Sequence, residues 1–474
     1  MSQASKIFSN TVWQIGLRIV ELIIGVFTLG LITRYLGQTQ FGYYTTVMAW
    51  LQLVSITLDF GLYLTLLREL SARPEEEHTK ILNNIFTLRL VTATVGFIIG
   101  CVLIQFLPYP PTIKLGVLAL VASFFFVSLI TVLTALFQKS FTMPRVAISS
   151  LVSKVVLLAL IVYAIGHQTS LQGILYASSA ASALFFLLIL YWTYRTYRLG
   201  LAWDLSYWKS ILIKTWPLAV TTTLNLIYFK IDTVFLSFYQ PASDVGIYGA
   251  AYRVLEIVTT FPHMFMGLLL PLFTAAWVVR DYTRLHLIWQ KAFDVFSLIT
   301  IPMVAGTLVV ATPLMVLVAG PDFAAAGPLL SILIVATAII FFGTLGTYLV
   351  LTMERQKQMM KYFLLAAVLS IIGYWLTIPR FSYWGAAWVT VGIELLIVLF
   401  AWLVVRKQFA YRPKLLVAGK SLLASIIMMI VIAGLYFLPL LIQVIIGAII
   451  YILGLLLTSA ISWSEIKSLL KPTA

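Results

Sequence analysis

Charge and cysteine are both scarce in this sequence. Charged residues make up 10% of its 474 positions, where a water-soluble domain carries roughly 25%, so an aqueous globular chain is excluded. A single cysteine, Cys101, excludes an intrachain disulfide and a cysteine metal cluster. The four histidines, His78, His167, His263 and His286, are scattered without paired ligand spacing, and no metal site is expected. The Gly-x4-Gly-Lys-Ser/Thr pattern does not occur, which argues against direct drive by nucleotide. There is no nucleophile elbow and no nucleic-acid module, so the sequence gives no support for an enzyme or a nucleic-acid partner.

What is present is apolar. Hydrophobic residues reach 62% and mean hydropathy is +1.03. The apolar runs are continuous over about 20 residues rather than alternating, which predicts an all-α integral membrane protein and not a barrel. Fourteen transmembrane helices are expected, near 12–33, 41–66, 81–104, 115–137, 146–165, 171–192, 215–238, 246–271, 292–318, 327–353, 362–378, 385–405, 421–438 and 440–460. The opening MSQASKIFSN runs into a full-length span and reads as a first helix rather than a signal peptide.

Loop charge orients these spans. Of the 31 Lys and Arg, 23 fall in the termini and the even-numbered connections, and only Arg34, Lys114 and Arg380 fall in the odd-numbered ones. This positive-inside pattern puts both termini in the cytoplasm and accounts for the +15 net charge. The outer connections are all short, too short for the folded loop that a glycan-polymerising or ligating enzyme would need. In the longest cytoplasmic connection, 193–214, Trp203, Tyr207, Trp208, Ile211 and Leu212 recur near helical spacing. That pattern predicts an interfacial amphipathic helix tying two halves together, against the plainer reading of a polar linker.

A faint internal repeat supports two halves. Phe41-Gly42-Tyr43-Tyr44 follows the first span and Val245-Gly246-Ile247-Tyr248 the seventh, at an offset of 204 residues. The expected organisation is two six-helix lobes in a parallel pseudo-twofold repeat, 1–200 and 201–410, with an extra helix pair and tail over 411–474. Gly37, Gly42 and Gly246 lie at outer turns, where a positive φ or a close helix approach calls for glycine.

The remaining five cations interrupt spans: Arg18, Arg89, Lys154, Lys230 and Arg253. Each costs about 2.5–3.5 kcal/mol at a helix centre on insertion scales, so retaining five suggests a polar path suited to an anion. Arg18 with Glu21 and Arg253 with Glu256 are three apart and share a helix face. Each pair is either a steadying salt bridge or an anion site with an acid regulating it. Lys230 and Asp232 are roughly 200° apart around a helix, so Lys230 is expected toward the cavity and Asp232 toward a partner within its lobe. Arg89 and Lys154 have no acid one turn away on their own helices, and neither does Glu394 have a local cation. His263, beside Pro262, reads as a packing residue before a proton relay. Ordered by depth from the cytoplasm, the cations form a ladder able to hand on a pyrophosphate, whose oxygens ask for guanidinium and ammonium donors.

Several motifs resemble a known family. Arg34-Tyr35-Leu36-Gly37, Phe41-Gly42-Tyr43-Tyr44, Leu58-Asp59-Phe60-Gly61-Leu62 and Arg68-Glu69-Leu70 resemble the opening of the polysaccharide/lipid-linked oligosaccharide flippases. These belong to the multidrug/oligosaccharidyl-lipid/polysaccharide exporter superfamily. Trp216-Pro217, Ile231-Asp232-Thr233, Asp244-Val245-Gly246-Ile247-Tyr248-Gly249-Ala250-Ala251-Tyr252-Arg253 and Gly320-Pro321-Asp322-Phe323 resemble its second half. The extra helix pair is similar to that of the fourteen-span lipid II flippases. The resemblance implies a multi-pass protein of the cytoplasmic membrane that moves an undecaprenyl-type lipid-linked oligosaccharide to the outer leaflet by alternating access. It implies no cofactor, and glycan polymerase machinery is a candidate partner beside the membrane lipids. Na⁺ or H⁺ are candidate coupling ions, and the sequence's own buried acids Glu21, Asp232, Glu256 and Glu394 are the groups able to bind them. The alternative is a cation-coupled drug or metabolite antiporter of the same superfamily, which would call for an acidic cavity rather than a basic one.

Overall fold

A computed structural model describes residues 3–58, 61–140, 142–406, 408–409 and 412–460, leaving aside the side chains of 3–15, 18–19, 214 and 216–229. The described residues form thirteen α-helices and one 3-10 turn, and no strand occurs among them. Among the described residues, eleven helical stretches are long and apolar enough to cross a membrane. This is a multi-pass, all-α membrane protein.

The chain divides into two compact units, Met1–Gly246 and Ile247–Ala474. The first holds α1 (Gln3–Thr57), α2 (Leu62–Ala72), α3 (Glu75–Phe106), α4 (Pro111–Lys139), α5 (Met143–Gly166), α6 (Leu171–Tyr194), α7 (Leu205–Tyr239) and the first turn of α8 (Ala242–Val278). The second holds the rest of α8, α9 (Tyr282–Ala319), the 3-10 turn Pro321–Phe323, α10 (Ala326–Thr352), α11 (Gln356–Val405), α12 (Leu416–Gly434) and α13 (Leu440–Leu457).

Two of these helices are far longer than a bilayer is thick. The 55 residues of α1 and the 50 of α11 would extend about 83 and 75 Å as straight rods, against a hydrocarbon core of about 30 Å. Each is broken where the sequence leads one to expect an outer turn. Gly37 adopts φ 64° inside α1, a left-handed value that glycine takes without a Cβ penalty. Ser382 adopts φ 48° inside α11, three residues after Pro379. A further break was not foreseen. The second expected span, 41–66, stops at Thr57, and α2 restarts at Leu62 behind Gly61, which is also left-handed at φ 64°.

Packing inside each unit follows membrane rather than aqueous rules, because lipid tails offer little penalty to an exposed leucine. Ser153 Oγ donates to the Ala181 carbonyl at 2.7 Å and Ser179 Oγ to the Ala119 carbonyl at 2.7 Å, tying α5 to α6 and α6 to α4. In the second unit Phe261 of α8 stacks on Phe341 of α10, which meets Phe296 of α9 edge to face. The C-terminal pair docks through one small network. Ser421 meets the Tyr451 hydroxyl at 2.8 Å, and Tyr451 donates to the Leu298 carbonyl at 2.8 Å, which joins α12 and α13 to α9.

The connection 193–214 holds no separate interfacial helix. Its second part is the opening of α7, capped by Asp204, whose carboxylate accepts from the Tyr207 N–H at 2.9 Å. Trp208 and Ile211 are buried in the same core as Leu82, Ile85 and Leu133, with Tyr207 and Leu212 packed against it, so the apolar face predicted for the membrane surface, apart from the exposed Trp203, covers the first unit instead. The preceding residues are extended and strapped to α3. Main-chain N–H groups of Gly200, Ala202 and Asp204 donate to Asn83 Oδ1 at 2.9 Å, Thr87 Oγ1 at 3.0 Å and Asn84 Oδ1 at 3.2 Å. Alternate residues bond because every second N–H of an extended segment points the same way.

Candidate functional site

The charges that interrupt spans are where function and folding compete, so each is followed to its partners. In the first unit, Lys154 Nζ lies 3.2 Å from Glu21 Oε2, with α5 presenting the ammonium to α1. The lysine side chain is 38% exposed and the carboxylate 2%. Lys154 has no acid on its own helix, but a different helix supplies one, which corrects the expectation of an unpaired cation. The side chain of Arg18, the partner anticipated for Glu21, lies outside the described residues.

Arg89 has a different setting. It is 2% exposed; its Nε donates to the Ser128 carbonyl at 3.3 Å and its Nη1 to the Leu58 carbonyl. Leu58 sits just past the end of α1, where carbonyls lack helical partners and the helix dipole favours a cation. The guanidinium therefore binds the backbone at the α1–α2 break. In this geometry it is not offered to a solvent-filled path, contrary to the sequence expectation. Arg89→Leu is expected to lower the melting temperature and the membrane abundance, since each carbonyl left buried and unpaired costs about 1–3 kcal/mol. A thermal-stability assay in detergent checks this, and unchanged stability with lost export would return Arg89 to the transport site.

On α7, Lys230 is half-buried, whereas Asp232 is buried and accepts from Thr233 N at 2.6 Å and from Thr233 Oγ1 at 3.2 Å. In the second unit, Arg253 Nη1 meets Glu256 Oε2 at 2.7 Å one turn along α8, both side chains being partly exposed. Glu394 is buried on α11, and no hydrogen bond reaches its carboxyl among the described residues. Among the described charges that interrupt spans, Lys154 with Glu21 in the first unit and Arg253 with Glu256 in the second are partly exposed cations held by an acid. Such a pair can release its cation to a bound anion without moving the backbone.

One contact made from a turn lay beyond local reasoning. Tyr109, in the connection between α3 and α4, meets Ser237 on α7 with the oxygens 2.6 Å apart. The Ser237 hydroxyl also reaches the Val234 carbonyl at 2.8 Å, and either oxygen can donate in its contact with Tyr109. Burial, only partly offset by the Ser237 bond, pushes the Tyr109 phenol up to about 12. Among the described residues, no group of three or more metal-ligating side chains comes together.

The model of the family described as "Polysaccharide biosynthesis protein" matches residues 7–277, more than half of the chain. The chain belongs to that family. Among solved structures, this family member is similar to the lipid II flippase MurJ in an inward closed conformation, at 16% identity and a TM-score of 0.76, over 97% of this chain and 100% of that one. It is also similar to an inward-facing multidrug resistance MATE family transporter of the MOP superfamily, at 14% identity and a TM-score of 0.66, over 83% of this chain and 96% of that one. A third likeness is to a MOP superfamily transporter from Pyrococcus furiosus, at 13% identity and a TM-score of 0.58, over 86% of this chain and 95% of that one. At these identities the likeness establishes a shared fold. No curated protein matches the chain in sequence.

Proposed function

We propose that this polysaccharide biosynthesis family member is a flippase that carries a lipid-pyrophosphate-linked oligosaccharide from the cytoplasmic to the outer leaflet by alternating access. The observation that carries the reading is the paired, partly exposed cation in each unit, Lys154 beside Glu21 and Arg253 beside Glu256. A pyrophosphate offers oxygens that compete with those carboxylates for the same donors, and charge-assisted bonds of this kind are the strong ones. The family description fits cell-surface glycan assembly, and one protein of the same fold is a lipid II flippase. In the Pyrococcus furiosus transporter a reversed polarity of the binding pocket suggests a different function, so charge is a sensible discriminator within the fold. Lys230 completes the set of candidate donors, while Glu21, Asp232, Glu256 and Glu394 are the groups able to hold Na⁺ or H⁺. The experiment is translocation of a fluorescent polyprenyl-pyrophosphate sugar in proteoliposomes. Transport of organic cations with none of the lipid would favour the antiporter reading instead.

The reading includes fourteen crossings of the cytoplasmic membrane with both termini inside, two from each of α1 and α11 and one from each other long helix. Helix length and the breaks at Gly37 and Ser382 support it. Reporters fused at His167 or Asp322 are expected to read as external, and reporters at Arg198 or Gln358 as cytoplasmic. An external reading at Arg198 sinks the topology.

A further inference from the structure

The two repeat glycines touch each other's repeat. A Cβ added to Gly42 would overlap the carbonyl oxygen of Ala242, and one added to Gly246 would overlap the carbonyl oxygen of Gln38. The same Cβ on Gly246 would stand 3.1 Å from the Gly42 nitrogen. All of these obstacles are main chain, which cannot swing aside as a side chain can. The contact is reciprocal: the 204-residue offset that relates Gly42 to Gly246 also relates Gln38 to Ala242. Residue pairs exchanged in this way mark an isologous contact on a twofold axis, here the pseudo-twofold of the internal repeat. Beside it, Tyr109 reaches Ser237 at 2.6 Å and stacks on Phe238 with ring centroids 5.0 Å apart.

We infer that segments 38–42 and 242–246 form an outer gate made of bare main chain, which must part for the carrier to open outward. The inference rests on the proposed alternating access and topology. A helix pair that stays together permanently could bury alanine or serine at modest separation. Contact this close, repeated on both sides of an axis, instead suits a seal that excludes water and headgroups when shut and leaves no side chain interlocked when it opens. Close main-chain approach of this kind is available only to glycine. A single methyl on either residue therefore wedges the closed state while leaving the open state undisturbed, and the balance between the two moves outward. Tyr109 and Ser237 add a polar latch at the same place.

The first arm reads conformation without substrate, so its outcome does not depend on which substrate is carried. In a Cys101→Ser background carrying Ser237→Cys as reporter, a membrane-impermeant maleimide is added to whole cells. Gly42→Ala and Gly246→Ala are each expected to raise the labelling rate at least tenfold over the parent. Equal rates in parent and variants, at equal abundance, overturn the inference. A second arm holds even where a glycine variant fails to accumulate. Tyr109→Cys with Ser237→Cys, bridged by a short cleavable bifunctional thiol reagent, is expected to stop export and to recover it on cleavage. Undiminished export by the bridged protein also overturns the inference, because the contact then never needs to part.

Discussion

Lys154→Glu is expected to abolish export and to reduce the amount of folded protein in the membrane, whereas Lys154→Glu combined with Glu21→Lys restores the amount but not the export. The ammonium and the carboxylate lie 3.2 Å apart. Opposite unit charges about 4 Å apart attract by about 4 kcal/mol at the effective dielectric of a protein surface. Lys154 is more than a third exposed, so solvent screening brings this to about 2 kcal/mol. Reversing one sign turns the attraction into repulsion, a swing of about 4 kcal/mol against a typical stability of about 5–15 kcal/mol. The double exchange restores the attraction. It leaves the acid at the accessible position, where a pyrophosphate needs a donor, and sinks the cation into the buried one. Immunoblots of membrane fractions read the first quantity, and surface polysaccharide in a strain lacking the native gene reads the second. Normal export by the double variant would make the pair purely structural and remove Lys154 from the transport site.

Much of the fold was legible because hydropathy and loop charge are one-dimensional signals. The breaks at Gly37 and Ser382 fall inside the connections 34–40 and 379–384 that the sequence marks. For Gly42 and Gly246, which the sequence marks for a positive φ or a close approach, the structure shows the close approach, each standing against main chain. What local spacing could not supply was partners across helices. Glu21 and Lys154 are 133 residues apart, so an i±3 or i±4 search around Lys154 finds no acid. Arg89 likewise answers carbonyls on α4 and beyond α1, and no composition rule reports an unsatisfied carbonyl 31 residues away. The apolar face of 203–212 has the right periodicity, but periodicity alone cannot tell a lipid surface from a neighbouring helix. Here α3 and α4 supply that neighbour.

Collapsing the membrane potential with ATP maintained is expected to stop lipid translocation. A pyrophosphate carries about two negative charges, and each is worth about 2.3 kcal/mol per 100 mV, so an inside-negative potential drives the lipid outward by about 4–5 kcal/mol per molecule when its charge crosses uncompensated. At 1.4 kcal/mol per tenfold, this exceeds a thousandfold in equilibrium ratio, enough to power export without a nucleotide site, for which the chain has no phosphate-loop pattern. The paired cations fit this scheme. A pyrophosphate that draws Lys154 or Arg253 away from its carboxylate adds net negative charge to the pathway rather than neutralising itself, because the cation was already balanced by an acid. Cations entering with the empty carrier at the acids would add to the drive on the return step. Ionophore treatment of proteoliposomes holding a potassium diffusion potential separates the contributions. Flux that falls with the potential at fixed ion gradients supports voltage drive, and flux that stays undiminished confines the buried charges to binding and removes the energetic scheme.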